Sequence, residues 1–238
     1  MTISAKGLYF KELNEKIRAA EEDVVIQDCC GQRYIGNALK GKNIEIYGTP
    51  GNALGSFLDG ATITVHGNAQ DATGDTMNDG VIVVHGNAGD TLGYAMRGGK
   101  IFVKGDAGYR TGIHMKQYKD KKPVIVVGGK TGSFLGEYLA GGLIIVLGLG
   151  CEDAPVGNFT GTGMHGGRMF IRTDKELKGF PAQVVAEVAT DEDKKEIAPY
   201  VEEFAKIFGF DAQEILKSRF LSLKPNAHNP YKQLYTAN

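Results

Sequence analysis

Two histidines offer the first chemistry. His66 and His85 are nineteen residues apart, and each follows a β-branched run, Ile63-Thr64-Val65 and Ile82-Val83-Val84. If those runs are strands of adjacent coils, the rings stand about one strand spacing (~4.8 Å) apart on an outer face, close enough to share a metal. The same column begins at Tyr47 and continues at Lys104, which completes no zinc set, so it reads as a solvated polar ladder. Asp71, Asp90 and Asp106 lie near turns without the spacing of a calcium loop and read as turn-stabilising side chains. Gly161-Thr162-Gly163-Met164-His165-Gly166 matches a dinucleotide fingerprint, but a strand-like segment, Met169 to Arg172, follows where a helix is required. Gly129-Lys130-Thr131 resembles the end of a P-loop, yet Val124 stands in place of its first glycine. Cys29, Cys30 and Cys151 show no C-x-x-C spacing and no histidine partner, and Cys29 falls in a column otherwise filled by glycine. His114, His165 and His228 form no triad, and Arg97, Arg110 and Arg168 read as solvated corner residues. The sequence therefore predicts no catalytic, cofactor-binding or metal residue in this chain.

Composition narrows the classes further. With 27 basic and 28 acidic side chains the formal net charge is −1, leaving no bulk field to recruit nucleic acid or an acidic membrane. No stretch approaches the roughly 20 apolar residues of a membrane span. The first residues, Met1 to Lys6, lack the apolar core of a secretory signal, and three cysteines make no disulfide framework. A reducing, cytoplasmic setting is the expectation. One number stands out: 34 of 238 residues are glycine, roughly twice average usage.

The glycines are periodic. Gly36, Gly55, Gly74, Gly93 and Gly112 are each nineteen residues apart, as are Gly48, Gly67, Gly86 and Gly105. Two insertions, of five residues after Met115 and six between Gly148 and Gly157, carry the columns on to Gly129, Gly136 and Gly161. Apolar columns keep the same register. One runs Val25, Ile44, Ile63, Ile82, Ile101, Ile125, Ile144, Met169; another runs Ile46, Val65, Val84, Val103, Val127, Val146, Ile171; a third runs Leu39, Leu58, Met77, Met96, Met115, Leu139, Met164. Between them the corner reads G-x-x-G-x-x-x-G: Gly48/Gly51/Gly55, Gly86/Gly89/Gly93, Gly105/Gly108/Gly112 and Gly129/Gly132/Gly136, with Gly67 and Gly74 flanking Gln70.

Short β-branched runs that recur this often leave no room for crossover helices. They predict an all-β, single-stranded parallel β-helix of about seven coils over residues 24–172, with glycine supplying positive φ and close approach at the corners, Gly86 and Gly105 included. Strand parity then points Ile82 and Val84 inward and Val81 and Val83 outward. On the outer face, Phe102, Val124, Val126, Leu143 and Ile145 continue an apolar strip that requires a cover. Two covers fit: a partner subunit or second copy, which makes these seven residues a candidate interface, or the apolar face Ile197, Val201, Phe204 and Phe208 of a C-terminal helix.

The flanks differ in character. Residues 1–23 read as an N-terminal helical cap, helix-like from Tyr9 to Glu22 with Leu13, Ile17 and Ala20 on one face. Residues 173–238 read as a helical segment and an extended tail. Thr190-Asp191-Glu192-Asp193 opens the helix, which ends at Gly209; Pro199 kinks it or marks its first turn, and Asp211 starts a second short helix.

The corner motif on a nineteen-residue β-helix resembles the C-terminal domain of the glutamate synthase large (alpha) subunit, and related coils occur in the small structural subunit of formylmethanofuran dehydrogenase. The flanks look like a free-standing version of the former: Leu13-Asn14-Glu15-Lys16-Ile17-Arg18 before Gly31-Gln32-Arg33-Tyr34-Ile35-Gly36, then Phe220-Leu221-Ser222-Leu223-Lys224-Pro225 with Asn229-Pro230-Tyr231. His228-Asn229-Pro230-Tyr231 departs from the more basic tail of that family. The resemblance covers nearly the whole chain. It implies a right-handed β-helix and a non-catalytic structural subunit in nitrogen assimilation. Amidotransferase and FMN/iron–sulfur partner subunits would then carry the flavin and cluster and make glutamate from glutamine and 2-oxoglutarate. Homo-oligomerisation fits as well. A structural subunit of a formylmethanofuran dehydrogenase- or formyltransferase/hydrolase-type complex is the alternative within this class. A stand-alone carbohydrate-acting β-helix enzyme is the alternative outside it.

Overall fold

A computed structural model describes residues 1–226 of the chain. The β-branched runs become strands: β1 (Thr2–Ser4), β2 (Val24–Cys30), β3 (Asn43–Thr49), β4 (Asp59–Val65), β5 (Asp79–Val84), β6 (Lys100–Val103), β7 (Val124–Val127), β8 (Ala140–Val146), β9 (Gly166–Arg172), β10 (Val184–Val188) and β11 (Phe220–Pro225). Helices α1 (Phe10–Ala19), α2 (Asp191–Phe208) and α3 (Ala212–Lys217) lie in the flanks. The strands form one sheet in the order β1 to β9, then β11, then β10. Every pair from β1 to β9 is parallel, which makes a β-solenoid of about eight turns against the seven expected.

Register follows the columns. Ile44 pairs with Ile63, Ile63 with Ile82, Ile82 with Ile101, Ile101 with Ile125, Ile125 with Ile144 and Ile144 with Met169. These residues and the columns led by Ile46 and Leu39 form a dry inner core. The first coil differs. Ile44 pairs with Val24, which is buried, rather than with Val25, which is half-buried. The ladder is irregular between Ile26 and Cys29, where Asp28 has φ +56°, while Cys29 still pairs with Gly48. One extra residue in that irregularity shifts the strand by a place and leaves the corner alone.

The corners follow a backbone rule that composition only hints at. Thr91, Gly93 and Ala95 have φ of +54°, +66° and +49°, at alternate places. Their N–H groups donate in turn to the following coil (Tyr109 O, 2.7 Å), the preceding coil (Thr73 O, 2.8 Å) and the following coil again (Ile113 O, 2.9 Å). Those bonds offset the roughly 1–2 kcal/mol that a non-glycine residue loses in the left-handed region. Gly93 excludes a side chain for a different reason: a Cβ there would fall 2.5 Å from Ile125 Cδ1 in the core.

The repeat glycines therefore divide by their place in the corner. Those in the last place, Gly55, Gly74, Gly93, Gly112 and Gly136, have the expected positive φ. In the first place only Gly48 has it; Gly67, Gly86, Gly105 and Gly129 do not. The middle glycines Gly51, Gly89, Gly108 and Gly132 do not have it either, contrary to expectation. Close approach between coils selects glycine at these positions instead. A Cβ on Gly86 would meet Asn68 Oδ1 at 2.2 Å and Gly67 O at 2.7 Å. In the middle place, a Cβ on Gly51 would lie 2.3 Å from Gly31 O, and one on Gly132 would lie 2.8 Å from Tyr109 N. On Gly89 and Gly108 it would lie 2.2 Å from the Oδ1 atoms of Asp71 and Asp90.

Both ends are closed. At the start, β1 pairs with β2, and α1, shorter than the sequence predicts, buries Leu13 and Ile17 against the first coil. Asn14 Nδ2 donates to Phe10 O (2.8 Å) and Arg33 O (3.1 Å), and Gln32 Nε2 donates to Ala5 O (2.9 Å). Lys42 Nζ donates to the carbonyls of Ile17 and Ala20 at the end of α1. At the other end β11 pairs antiparallel with β9, and β10 antiparallel with β11. Phe220 to Pro225 is thus a paired strand, and β10 is a strand that no periodicity announces. Pro199 sits inside α2, beyond its first turn; Thr190 caps that helix through Asp193 as expected. His228 and Asn229-Pro230-Tyr231 lie outside the described residues.

Candidate functional site

The outward strip has a definite cover. Val83, Phe102, Val124, Val126, Leu143 and Ile145 join Ile197, Val201, Phe204, Phe208, Ile215 and Phe220 in a second apolar core, and Val81 packs against it. Phe102 and Val126 are fully buried within the single chain. These residues are therefore not an exposed interface of the folded chain: α2 and α3 of the same chain lie over the strip and bury their own apolar faces against it, with Val81 half-buried at its margin. Gly128 belongs to the same fit, since a Cβ there would come within 2.8 Å of Phe204 Cζ.

Ion pairs stitch the helix to the sheet at the rim of this core. Lys100 Nζ meets Glu203 at 2.6 Å and Lys122 Nζ meets Glu196 Oε1 at 2.7 Å. Arg168 donates to Glu196 Oε2 (2.6 Å), to Asp193 and to Ser222 Oγ (2.7 Å), with its guanidinium 4.7 Å from the centre of the Phe170 ring. Arg168 is thus a fastening, not a solvated corner residue. No sequence spacing linked it to Glu196, because the two meet only when α2 folds back over β9.

The histidine column exists as a stack. The His66 and His85 rings are 5.2 Å apart and 19° from parallel, with Tyr47 on one side at 4.4 Å and the edge of Phe208 against His85 at 5.2 Å. His66 Nε2 is bonded to Glu45. Stacked rings aim their nitrogens sideways rather than at a common point, and among the described residues no group of three His, Cys, Asp or Glu is placed to hold a metal ion. Partial burial, then the nearby His66 and Lys104 charges, lower the His85 pKa.

The corner carboxylates are engaged with backbone. Asp71 Oδ1 accepts from Asp90 N (2.9 Å), Asp90 Oδ1 from Tyr109 N (2.8 Å) and Asp106 Oδ1 from Lys130 N (2.8 Å). Asn68 and Asn87 precede Asp106 in its own column and make the same bond, accepting from Asn87 N and Asp106 N. Each side chain bridges to the next coil, which makes these ladders inter-coil fasteners. They also explain the middle glycines, because the Asp71 and Asp90 carboxylates occupy the space that a Cβ on Gly89 or Gly108 would need. The fingerprint-like glycines lead straight into β9, and the Gly129-Lys130-Thr131 corner is taken up in bonds to its neighbouring coils, with Gly129 N donating to Gly105 O (2.9 Å) and Thr131 N to Pro155 O (2.9 Å).

At two of the three cysteines burial disfavours the thiolate. Burial pushes the Cys29 thiol up to about 11, and burial followed by the Asp106 charge also raises Cys151. Cys151 lines a cleft of about 170 Å³ with Arg172 and Arg219. Both arginines are committed there: Arg172 to Ser218 Oγ and Leu147 O (2.9 Å each), Arg219 to Thr173 O (2.8 Å). Their work is to hold the C-terminal cap onto the last coils. No described helix is long and apolar enough to cross a membrane.

Fold and surface together define a parallel β-solenoid on glycine corners, in which Asn68, Asn87, Asp71, Asp90 and Asp106 join coils and Arg168, Arg172 and Arg219 fasten the C-terminal cap. By its match to the GXGXG motif over residues 13–226, the chain belongs to the GXGXG family. An uncharacterized protein of Methanocaldococcus jannaschii is 45% identical over 253 aligned positions, covering 99% of this chain and 96% of that protein. Among solved structures, the formyltransferase/hydrolase complex from Methylorubrum extorquens, determined with methylofuran, contains a similar chain at TM-score 0.65 and 23% identity, covering 83% of this chain and 71% of that one. At that identity the likeness concerns the fold.

Proposed function

We propose that this chain is a non-catalytic structural subunit of a split glutamate synthase, holding amidotransferase and FMN/iron–sulfur subunits in place while they make glutamate from glutamine and 2-oxoglutarate. The observation that carries the reading is the extent of the family match, residues 13–226, which takes in both flanks as well as the coils. Those flanks are the segments that resemble the glutamate synthase domain, and each has a structural role. Leu13 to Arg18 lies in α1 over the first coil, Gln32 and Asn14 lock that cap, and Phe220 to Pro225 closes the last coil. Flavin and cluster belong to the partners in this reading. Mixing the purified chain with amidotransferase and FMN/iron–sulfur subunits from the same source tests it. Glutamate formation that needs all three supports the proposal, and full activity without this chain refutes it.

The second reading, a structural subunit of a formyltransferase/hydrolase-type complex, is favoured by the neighbour whose fold this chain shares. Stable assembly with formyl-transferring subunits instead would decide for it.

A further inference from the structure

The two ends of the sheet are finished differently. At the start the edge strand β1 is three residues long, with Thr2 and Ser4 exposed, and α1 turns Lys11, Glu12, Glu15 and Lys16 to solvent. Short edges and charge are the usual protection against strand pairing. At the other end the edge strand is β10, Val184-Val185-Ala186-Glu187-Val188, which carries no lysine, proline or bulge. Ala186, Glu187 and Val188 are exposed, Val188 by 59%.

The bonding pattern says which groups of β10 are free. Gln183 O accepts from Asn226 N and Ala189 N donates to Phe220 O, so the odd-numbered residues of this strand face β11. The N–H and C=O groups of Ala186 and Val188 therefore point away from the sheet, and among the described residues no strand lies beyond them.

We propose that this edge pairs with itself: a second copy of the chain adds its β10 antiparallel across a two-fold axis at Ala186, joining the two sheets. The sequence of the strand is symmetric in the places that matter. Centring on Ala186 sets Val184 opposite the second copy's residue 188 and Ala186 opposite its own equivalent, an apolar row on one face. On the other face Glu187 lies opposite a valine (185), not another glutamate, and it keeps its ion pair with Lys224. A centre one residue later would oppose the two Glu187 carboxylates directly, which is unfavourable. The register centred on Ala186 thus pairs Val188 with a valine and also separates the like charges. This inference does not rest on the glutamate synthase reading.

Sedimentation of the full chain over a concentration series tests it, with Ala186→Lys and Ala186→Glu as variants. Position 186 is exposed and its N–H makes no internal bond, so both variants should keep the wild-type circular dichroism and melting curve. Wild type should dimerise, and each variant alone should raise the dissociation constant about tenfold or more, because like charges meet at the axis. An equimolar mixture of the two should dimerise again, as Lys then faces Glu. A wild-type chain that stays monomeric at all concentrations overturns the proposal. So does unchanged dimerisation of both variants, or a mixture no tighter than either alone.

Discussion

Gly48 and Gly41 separate the two reasons a corner selects glycine. Gly48 has φ +120° and pairs with Cys29; a Cβ placed there would lie 2.1 Å from the Cys29 carbonyl oxygen and 2.9 Å from its nitrogen. Gly41 has φ +57° and open space around the same position. Gly41→Ala therefore costs only the left-handed strain, about 1–2 kcal/mol. Gly48→Ala adds a collision with the backbone of the neighbouring coil, which has to open by roughly 1 Å to restore contact distance, an overpacking cost of about 1–3 kcal/mol on top of about 1–3 kcal/mol of backbone strain. A chain of this size loses about 2–4 °C of melting temperature per kcal/mol, so Gly41→Ala should melt about 2–8 °C below wild type and Gly48→Ala several degrees lower again. Circular dichroism melts of the three proteins, side by side, read this directly. Equal melting temperatures for the two variants would mean that the coils do not approach at Gly48 as described.

Three further outcomes follow from the same geometry. Phe204→Ala, which empties the centre of the second core, should cost about 3–5 kcal/mol in urea unfolding, and a loss under about 1 kcal/mol would contradict the packing of α2 on β6 and β7. Asn87→Ala removes the acceptor for Asp106 N and should cost about 1–2 kcal/mol by the same measurement, while an unchanged midpoint would show the ladder to be inert. His85 has a folded pKa below its ordinary 6.5, so the unfolded chain takes up the proton first. Its effect on stability is nil well above pH 6.5 and unfavourable as the pH falls through that value. Urea midpoints at about pH 7.5 and about pH 5.5 should therefore differ less for His85→Gln than for wild type, and an identical difference would mean that His85 plays no part.

What the sequence disclosed was whatever depends on neighbours one coil apart. A fixed period of nineteen puts Ile63 beside Ile82 however the chain is folded elsewhere, so strand register, inner core and the stacking of His66 on His85 could all be read from columns. The register failed only at Val25, where the irregularity at Asp28 inserts a residue that no column records. Parity identified the outward strip, and helical spacing identified the apolar face of α2, but nothing in either pattern says that they meet; that depends on the path from β9 back over the sheet. The same non-local step hides the Arg168–Glu196 pair. β10 has no column to announce it, because Val184 to Val188 lie outside the nineteen-residue period and are too short to show one of their own. The positive φ values at Thr91 and Ala95 are hidden because alternate bonding to two coils, not residue type, holds them. Conversely, the spacing of Gly89 and Gly108 marks them as corner residues but cannot say that a neighbouring carboxylate, rather than φ, is what keeps them glycine.

Affinity purification of the full chain from its native source, with mass spectrometry of what accompanies it, tests whether this chain is the structural member of a multi-subunit enzyme. Amidotransferase and FMN/iron–sulfur polypeptides should appear in fixed ratio to the chain. A chain recovered without partners, carrying its own flavin and converting glutamine and 2-oxoglutarate to glutamate unaided, would contradict the claim.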